Sequence, residues 1–353
     1  MMGVKQVVFR LAAGLLFHSR VLRLLRGRLN QLVLRTGEDG RPAFPFLKRS
    51  RGRNLQILSY HRVSDQRDSF LPALGVRRFE AQMEYLASDF RVLSLEEAVA
   101  RLEAGELPDH ALVVTFDDGY RDNYLHAFPV LRRLAIPASF FLTTGAIGSG
   151  GLLWHDRVFH AFRQTALRAL TGYPEPADAY ALTTPENRRG ARQAVLDFLR
   201  TVDSAEQASW VERLERALAV SPPTDGGRLM LSWEEVREMH RAGFSFGAHT
   251  VGHPILTRLS LSGARREMRE SKEAIEAALG APVRTFAYPN GSAADFGVEH
   301  KEALRDLGFR CALTTIFGVN RPGDDLFELR RISPWARNLS EFAARLNYYK
   351  LLP

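Results

Sequence analysis

The sequence predicts an α/β fold, a (β/α) barrel of parallel strands, and three observations predict it. Short apolar runs of strand length alternate with amphipathic helical patterns along most of the chain, which calls for parallel strands joined by helical crossovers. Residues that carry chemistry follow directly after several of those runs, at the ends where a barrel of this kind keeps its active face. The 353 residues are 45% hydrophobic and 25% charged, ample for a large core.

The elements follow in order. Residues 1–35 read as an amphipathic helix, with Leu11, Leu15, Leu22, Leu25, Leu29 and Leu32 on one stripe and Arg20, Arg23 and Arg35 opposite. No run there reaches the ~18 apolar residues of a bilayer span. Leu11 to Phe17 has the length of a short signal core, but no small-x-small cleavage site follows it. Two readings stay open: a helix on an anionic membrane surface, or a helix packed on the body with its arginines in water. Residues 36–53 are rich in Gly, Pro and Arg and read as a linker, so 1–53 precedes a body of 54–353. Residues 1–53 hold twelve Lys or Arg against two acids, and the remaining 300 residues therefore carry a net −2 although the chain is +8. The basic character belongs to the tail, and a nucleic-acid partner is not expected. The expected location is the cytoplasm, with peripheral contact at the inner membrane face through residues 1–35 as the alternative. The single cysteine, Cys311, lies in an apolar run and is expected to be a buried thiol.

In the body, Leu55 to His61 is a short apolar strand that ends in a histidine. Helical patterns follow at Phe79 to Ala87 and Ser94 to Leu102, then a buried strand beginning at Ala111, a helix from about Asn123 to Leu134, and a strand from Ala138 to Thr144. Residues 146–228 break this rhythm and read as a helical insertion on the barrel. Trp154-His155-Asp156 opens it, either as part of a cleft wall or, the favoured reading, as an anchor for the insertion. Ser232 to Glu235 forms a capping box at the next helix. A strand through Phe246 follows, then a helix from about Ser262 to Leu279 stopped by Gly280 and Pro282. Strands at Thr285 to Pro289, Phe309 to Thr315 and Phe327 to Ile332, with helices near His300 to Leu307 and Ser340 to Leu351, complete the chain.

Two strand ends carry the chemistry. Val113-Val114-Thr115-Phe116 runs into Asp117-Asp118-Gly119-Tyr120. Neighbouring side chains on a strand face opposite ways, but at a glycine turn two carboxylates can share a cavity, where a cation or a shared proton must offset their repulsion. The plainer reading is a polar turn with Asp capping the next helix. The second strand ends in His249-Thr250-Val251-Gly252-His253, and histidines four apart can share a metal. One carboxylate and two imidazoles make a three-ligand site with an open position, which suits a catalytic metal.

Thr115-Phe116-Asp117-Asp118-Gly119 followed by His249-Thr250-x-x-His253 resembles the polysaccharide deacetylase family, also called NodB-homology or carbohydrate esterase family four, over roughly Asn54 to Pro334. The resemblance implies a distorted barrel of about seven strands and a hydrolase that removes N-acetyl groups from amino sugars of a polysaccharide, such as an exopolysaccharide, or of its lipid-linked precursor. It implies Asp118, His249 and His253 as ligands of Zn2+ or another divalent transition metal, Asp117 as general base, and an N-acetylated glycan as substrate. The third family segment reads Phe286-Ala287-Tyr288-Pro289-Asn290-Gly291 here. The family often has Arg where Ala287 stands and Tyr where Asn290 stands; the Asn290 backbone N–H is the implied oxyanion donor. The Leu-x-His that supplies the general acid in many members is replaced by Leu329-Arg330-Arg331. In motif order the chain is similar to the circularly permuted poly-N-acetylglucosamine deacetylases, which place that histidine on the first strand, and His61 is the implied general acid. His18, His110, His126, His155, His160, His240 and His300 show no ligand spacing and receive no role. Two competing readings are a non-catalytic metal-containing carbohydrate-binding barrel, against which the intact Asp117 argues, and an amidohydrolase of small acyl amides.

Overall fold

The computed structural model describes residues 53–66, 72–149, 151–174, 179–221 and 229–350. The expected N-terminal helix falls outside them. The body opens on β1 (Gln56–Tyr60), followed by helices α1 (Val76–Asp89) and α2 (Leu95–Ala104), then β2 (Ala111–Phe116). One turn of π-helix (Asn123–Ala127) leads into α3 (Phe128–Arg133) and β3 (Ala138–Leu142). An excursion comes next: α4 (Trp154–Gln164), two short antiparallel strands (Ala169–Leu170 and Tyr180–Ala181), α5 (Pro185–Leu199) and α6 (Ser204–Ala217). The main rhythm resumes with α7 (Trp233–Arg241), β4 (Ser245–Ala248), α8 (Leu261–Leu279), β5 (Thr285–Ala287), α9 (Val298–Asp306), β6 (Cys311–Phe317), β7 (Leu329–Arg331) and α10 (Leu339–Tyr349).

Each of these seven labelled strands pairs parallel to the next. The ring then closes. The Ser59 N–H donates to the Ile332 carbonyl at 3.1 Å and the Ile332 N–H to the Ile57 carbonyl at 2.8 Å, which ties the end of β7 to β1. The expected distorted (β/α) barrel of seven parallel strands is therefore present. Its distortion is local: β4 and β5 share the single register pair Ala248↔Phe286, and the β6–β7 register shifts between Leu329 and Arg331.

Strand alternation builds two cores. Ala111 and Val113 of β2 join Leu55, Ile57, Phe141, Ala287, Cys311, Leu313 and Leu329 in the smaller cluster, and Leu95, Ala98, Val99 and Leu102 of α2 pack onto it. Leu112, Val114 and Phe116 face the other way, into the larger core under the helices, where Phe116 stacks on Phe140 with ring centroids 4.7 Å apart. Each fully buried Val, Leu, Ile or Phe among them stabilises the fold by about 1.5–3 kcal/mol. Burial pushes the Cys311 thiol up to about 12, as expected of a thiol sealed in an apolar interior.

Local signals account for the element ends. The Ser232–Glu235 capping box forms at α7, and α8 stops at left-handed Gly280. Two strands start later than the apolar runs suggested. Phe309 closes the turn after α9, its N–H bonded to the Leu304 carbonyl, so β6 begins at Cys311. Leu326–Glu328 form a 3-10 turn, so β7 begins at Leu329. The excursion between β3 and α7 has its own apolar cluster, including Val158, Phe162, Leu170, Val195, Val211 and Leu214. Arg157 adds a two-bond pair to Glu215 at 2.9 and 2.7 Å. Among the described residues, no helix is long and apolar enough to cross a membrane.

Candidate metal centre

The centre forms where β2 and β4 end. Asp117 continues the β2 face of Val113 and Thr115. A regular strand would send Asp118 to the opposite face, but Asp118 takes φ 76° and Gly119 φ 87°. Two consecutive left-handed residues turn the chain, and Asp tolerates this region better than most residues. Glycine suits position 119: at φ 87° an L side chain is strained, and a Cβ would stand 2.8 Å from the Ile147 Cδ1.

Asp118 meets both histidines. Its Oδ1 lies 3.4 Å from the Nε2 of His249 and 3.4 Å from the Nε2 of His253, and the three ligand atoms fall within 4.8 Å of one another. All three residues are buried. A tetrahedral ion with bonds of ~2.0–2.1 Å places neighbouring ligand atoms roughly 3.4 Å apart, so the spacing fits. The Asp118 Oδ1 is also buried with no hydrogen bond in the protein among the described residues. A sealed carboxylate oxygen left without a donor beside two imidazole nitrogens is the signature of a site for a cation. Burial alone would raise the Asp118 carboxyl; the two histidines outweigh it and hold the group well below its usual range.

The loop carrying the histidines is fixed from several sides. His249 donates its Nδ1–H to the Ala287 carbonyl at 2.7 Å, which leaves Nε2 bare toward Asp118. Thr250 and His253 are left-handed, at φ 66° and 60°. Glu267 of α8 accepts from the Val251 and Gly252 N–H groups at 2.8 and 3.0 Å, and the Thr250 Oγ1 accepts from the His253 N–H at 3.0 Å. The Val251 carbonyl receives the Gly145 N–H at 2.9 Å.

Asp117 has a different partner. Arg331 of β7, fully buried, donates to its two carboxylate oxygens at 2.8 and 2.7 Å, and its Nε donates to the Thr314 carbonyl at 2.6 Å. Burial pushes the Asp117 carboxyl up, but the Arg331 guanidinium outweighs it and holds the group below its usual range, as a carboxylate at neutral pH. Although Ala287 stands where the family often has an arginine, Asp117 is held by an arginine from another strand. Sequence reasoning missed Arg331. The available signal was an arginine two residues after Leu329 on a strand, the position that shares the inward face.

His61 also stands beside Asp117. The register Tyr60↔Phe116 brings the residues after β1 and β2 level with each other, and the His61 Nε2 lies 3.9 Å from the Asp117 Oδ2 with its side chain 48% exposed. Asn123 donates to the His61 carbonyl at 2.8 Å, and Asp122 pairs with Arg62 at 2.7 Å, so the turn that follows Asp118 also clamps the exit of β1. Asn290 sits in the turn after β5 at φ 56°, and its carbonyl is held by the Thr315 hydroxyl. Among the described residues its backbone N–H makes no hydrogen bond, so that donor is available.

One histidine given no role does reach the centre. Trp154 donates its indole N–H to the His253 carbonyl at 3.2 Å, the anchor expected of it, while the His155 ring stands edge-on to His253 with centroids 5.1 Å apart. Tyr120 links this segment back to β2: its hydroxyl lies 3.1 Å from the His155 Nε2 and 2.9 Å from the Asp156 Oδ1. Burial, then the charge of His253, pushes His155 down to about 3, so the ring is neutral. Burial and the charge of Asp118 push Asp156 up to about 7. His155 has no partner at ligand spacing in the sequence, and only the fold brings it here.

Comparison with known proteins agrees with this arrangement. A family profile described as polysaccharide deacetylase matches residues 104–312. A poly-beta-1,6-N-acetyl-D-glucosamine N-deacetylase of Staphylococcus epidermidis is 26% identical over 213 residues, covering 54% of this chain and 70% of that protein. Two solved structures share the fold: Streptococcus pyogenes deacetylase PplD in complex with acetate, at TM-score 0.56 and 20% identity over 86% of this chain and 100% of that one, and IcaB from Ammonifex degensii, at TM-score 0.54 and 24% identity over 85% of this chain and 98% of that one. With the profile spanning more than half of its length and a buried Asp-His-His cluster at the strand ends, the chain belongs to the polysaccharide deacetylase family.

Proposed function

We propose that the protein is a metal-dependent deacetylase that removes N-acetyl groups from amino sugars, with a polymer of N-acetylglucosamine or its lipid-linked precursor as substrate. One observation carries the reading: a buried three-residue cation site lies beside a second carboxylate that a permanent arginine keeps ionised. A pure binding barrel has no use for that second carboxylate. The substrate class is supported by the S. epidermidis relative, whose name states that it acts on poly-beta-1,6-N-acetyl-D-glucosamine.

Asp118, His249 and His253 would hold the ion, with Zn2+ the expected one. When bound, a divalent cation supplies Lewis acidity that polarises an acyl carbonyl and acidifies water. Asp117, ionised and oriented by Arg331, takes the proton of the attacking water. The Asn290 backbone N–H donates to the oxyanion that develops on the acyl oxygen. His61, half-exposed beside Asp117, delivers a proton to the departing amine. The placement of His61 directly after the first strand supports an affinity with the circularly permuted poly-N-acetylglucosamine deacetylases. We place the enzyme in the cytoplasm, with residues 1–35 as a peripheral contact to the inner membrane face.

The test is acetate release from N-acetylglucosamine oligomers alongside metal analysis of the same sample. Stoichiometric metal and acetate release that stops after chelation and returns with Zn2+ are expected. Full activity in a metal-free sample would remove the proposal, and glycan binding without acetate release would favour the binding barrel.

A further inference from the structure

The segment Trp154-His155-Asp156 belongs to the insertion, yet all three side chains engage residues of the barrel mouth. Trp154 is buried and spends its indole N–H on the His253 carbonyl. Asp156 is buried and receives the Tyr120 hydroxyl. His155 differs: its side chain keeps 18% of its surface open to solvent beside the ring of His253.

The hydrogen bonds decide which nitrogen of that ring faces outward. The Tyr120 hydroxyl donates to the Asp156 Oδ1 at 2.9 Å. The single hydroxyl hydrogen of Tyr120 is thereby committed to Asp156. The Tyr120 oxygen, 3.1 Å from the His155 Nε2, must then accept, so Nε2 carries the ring proton. The remaining nitrogen, Nδ1, is a bare acceptor with no hydrogen-bond partner among the described residues. A fixed acceptor at the edge of a hydrolytic centre selects a donor on the substrate, and the donors that surround a sugar N-acetyl group are hydroxyls.

We propose that His155 is a specificity-determining residue whose Nδ1 accepts a hydrogen bond from a hydroxyl of the sugar that carries the scissile acetyl group. This rests on the deacetylase reading above. Tyr120 and Asp156 act through it as positioning residues that hold the tautomer.

The test compares wild type, His155→Ala, His155→Asn and His155→Gln in the Zn2+-loaded full chain. Asparagine restores a polar group where Nδ1 stood; glutamine restores one where Nε2 stood. For N-acetylglucosamine oligomers, kcat/KM and calorimetric binding are expected to fall about 10- to 100-fold in His155→Ala, the loss of one good hydrogen bond to substrate. They recover in His155→Asn and do not in His155→Gln. Metal content stays stoichiometric throughout, and hydrolysis of p-nitrophenyl acetate, which offers no hydroxyl, stays within about twofold of wild type. Unchanged oligomer turnover in His155→Ala overturns the proposal, and so does an equal loss on both substrates or a loss of metal. A wild-type protein that neither binds nor deacetylates the oligomer overturns the deacetylase reading and this inference together; wild-type activity with insensitive His155 variants overturns this inference alone.

Discussion

Asp117 and Asp118 are adjacent and equally sealed from water, yet the two halves of the site they anchor are built differently. Asp118 faces two imidazoles delivered by one short loop, which itself is pinned by Glu267 and the chain around Gly145. Asp117 faces a guanidinium from the last barrel strand and an imidazole that follows the first. Two buried carboxylates this close would ordinarily force one to keep a proton. The fold avoids that by giving each its own positive partner. For Asp117 the partner is a permanent covalent part of the protein; for Asp118 it is a place that an exchangeable cation fits. In the proposed reaction, that difference separates a base that must always be ionised from a ligand whose partner can be loaded and removed.

The sharpest way to break this division is to exchange the two losses. Asp118→Ala is expected to abolish both stoichiometric metal and acetate release, a fall of roughly 10³-fold or more. Asp117→Asn is expected to keep the metal and lose about 10²- to 10⁴-fold in turnover, the span of a general base. Metal analysis and single-turnover acetate release on both variants decide the matter. Loss of metal in Asp117→Asn would show that the two halves are one coordination unit.

Arg331 supplies the next test. Removing one partner of a buried pair strands the other charge, at about 3–5 kcal/mol. Arg331→Met is therefore expected to lower the denaturation midpoint clearly and to raise the Asp117 carboxyl, since burial is then unopposed. The acid limb of the pH–rate profile moves to higher pH. A profile that keeps its wild-type limb would mean that Arg331 is only a structural strut.

The same division explains what the sequence could reveal. The Asp118 half was legible because its signals are local: a strand that runs into Asp-Asp-Gly, and two histidines four apart after another strand. The alternation of strands and helices, the capping box at Ser232 and the stop at Gly280 were legible for the same reason. The Asp117 half is assembled across the barrel closure. Arg331 and Asp117 are 214 positions apart, and no spacing rule links them; only closing β7 onto β1 does. The placement of His61 could be argued because a closed barrel makes its first and last strands neighbours, and the Ile332 bonds to Ile57 and Ser59 supply that closure. His155 stayed hidden because helix α4 begins inside an insertion whose apolar pattern serves its own core.

His61 gives a smaller effect with a cleaner background. Half of its side chain is exposed, so His61→Ala should change stability by no more than ~0.5 kcal/mol and leave metal content intact. Turnover on an N-acetylated oligomer is expected to fall about 10²-fold, as for loss of a general acid. The fall should be less for p-nitrophenyl acetate, whose leaving group needs no proton. Equal falls on both substrates would move His61 from proton delivery to the support of Asp117, 3.9 Å away.

Asp156 is the control for the whole comparison, a third buried carboxyl with no Arg or Lys ion pair among the described residues. Burial and the nearby Asp118 push it up to about 7, where Asp117 and Asp118 are held down by their partners. Its unfolded value is about 4, so folding takes up a proton between there and about 7. The stability it contributes is whole below pH 4 and erodes as pH rises toward 7, by up to roughly 4 kcal/mol. Asp156→Asn keeps the oxygen that accepts from Tyr120, so turnover at neutral pH should stay within about threefold of wild type. The variant should lose stability less steeply than wild type between pH 4 and pH 7 in thermal denaturation. An identical slope in both proteins would mean that Asp156 is ionised in the fold, and that a buried carboxylate beside this centre does not need a cation of its own.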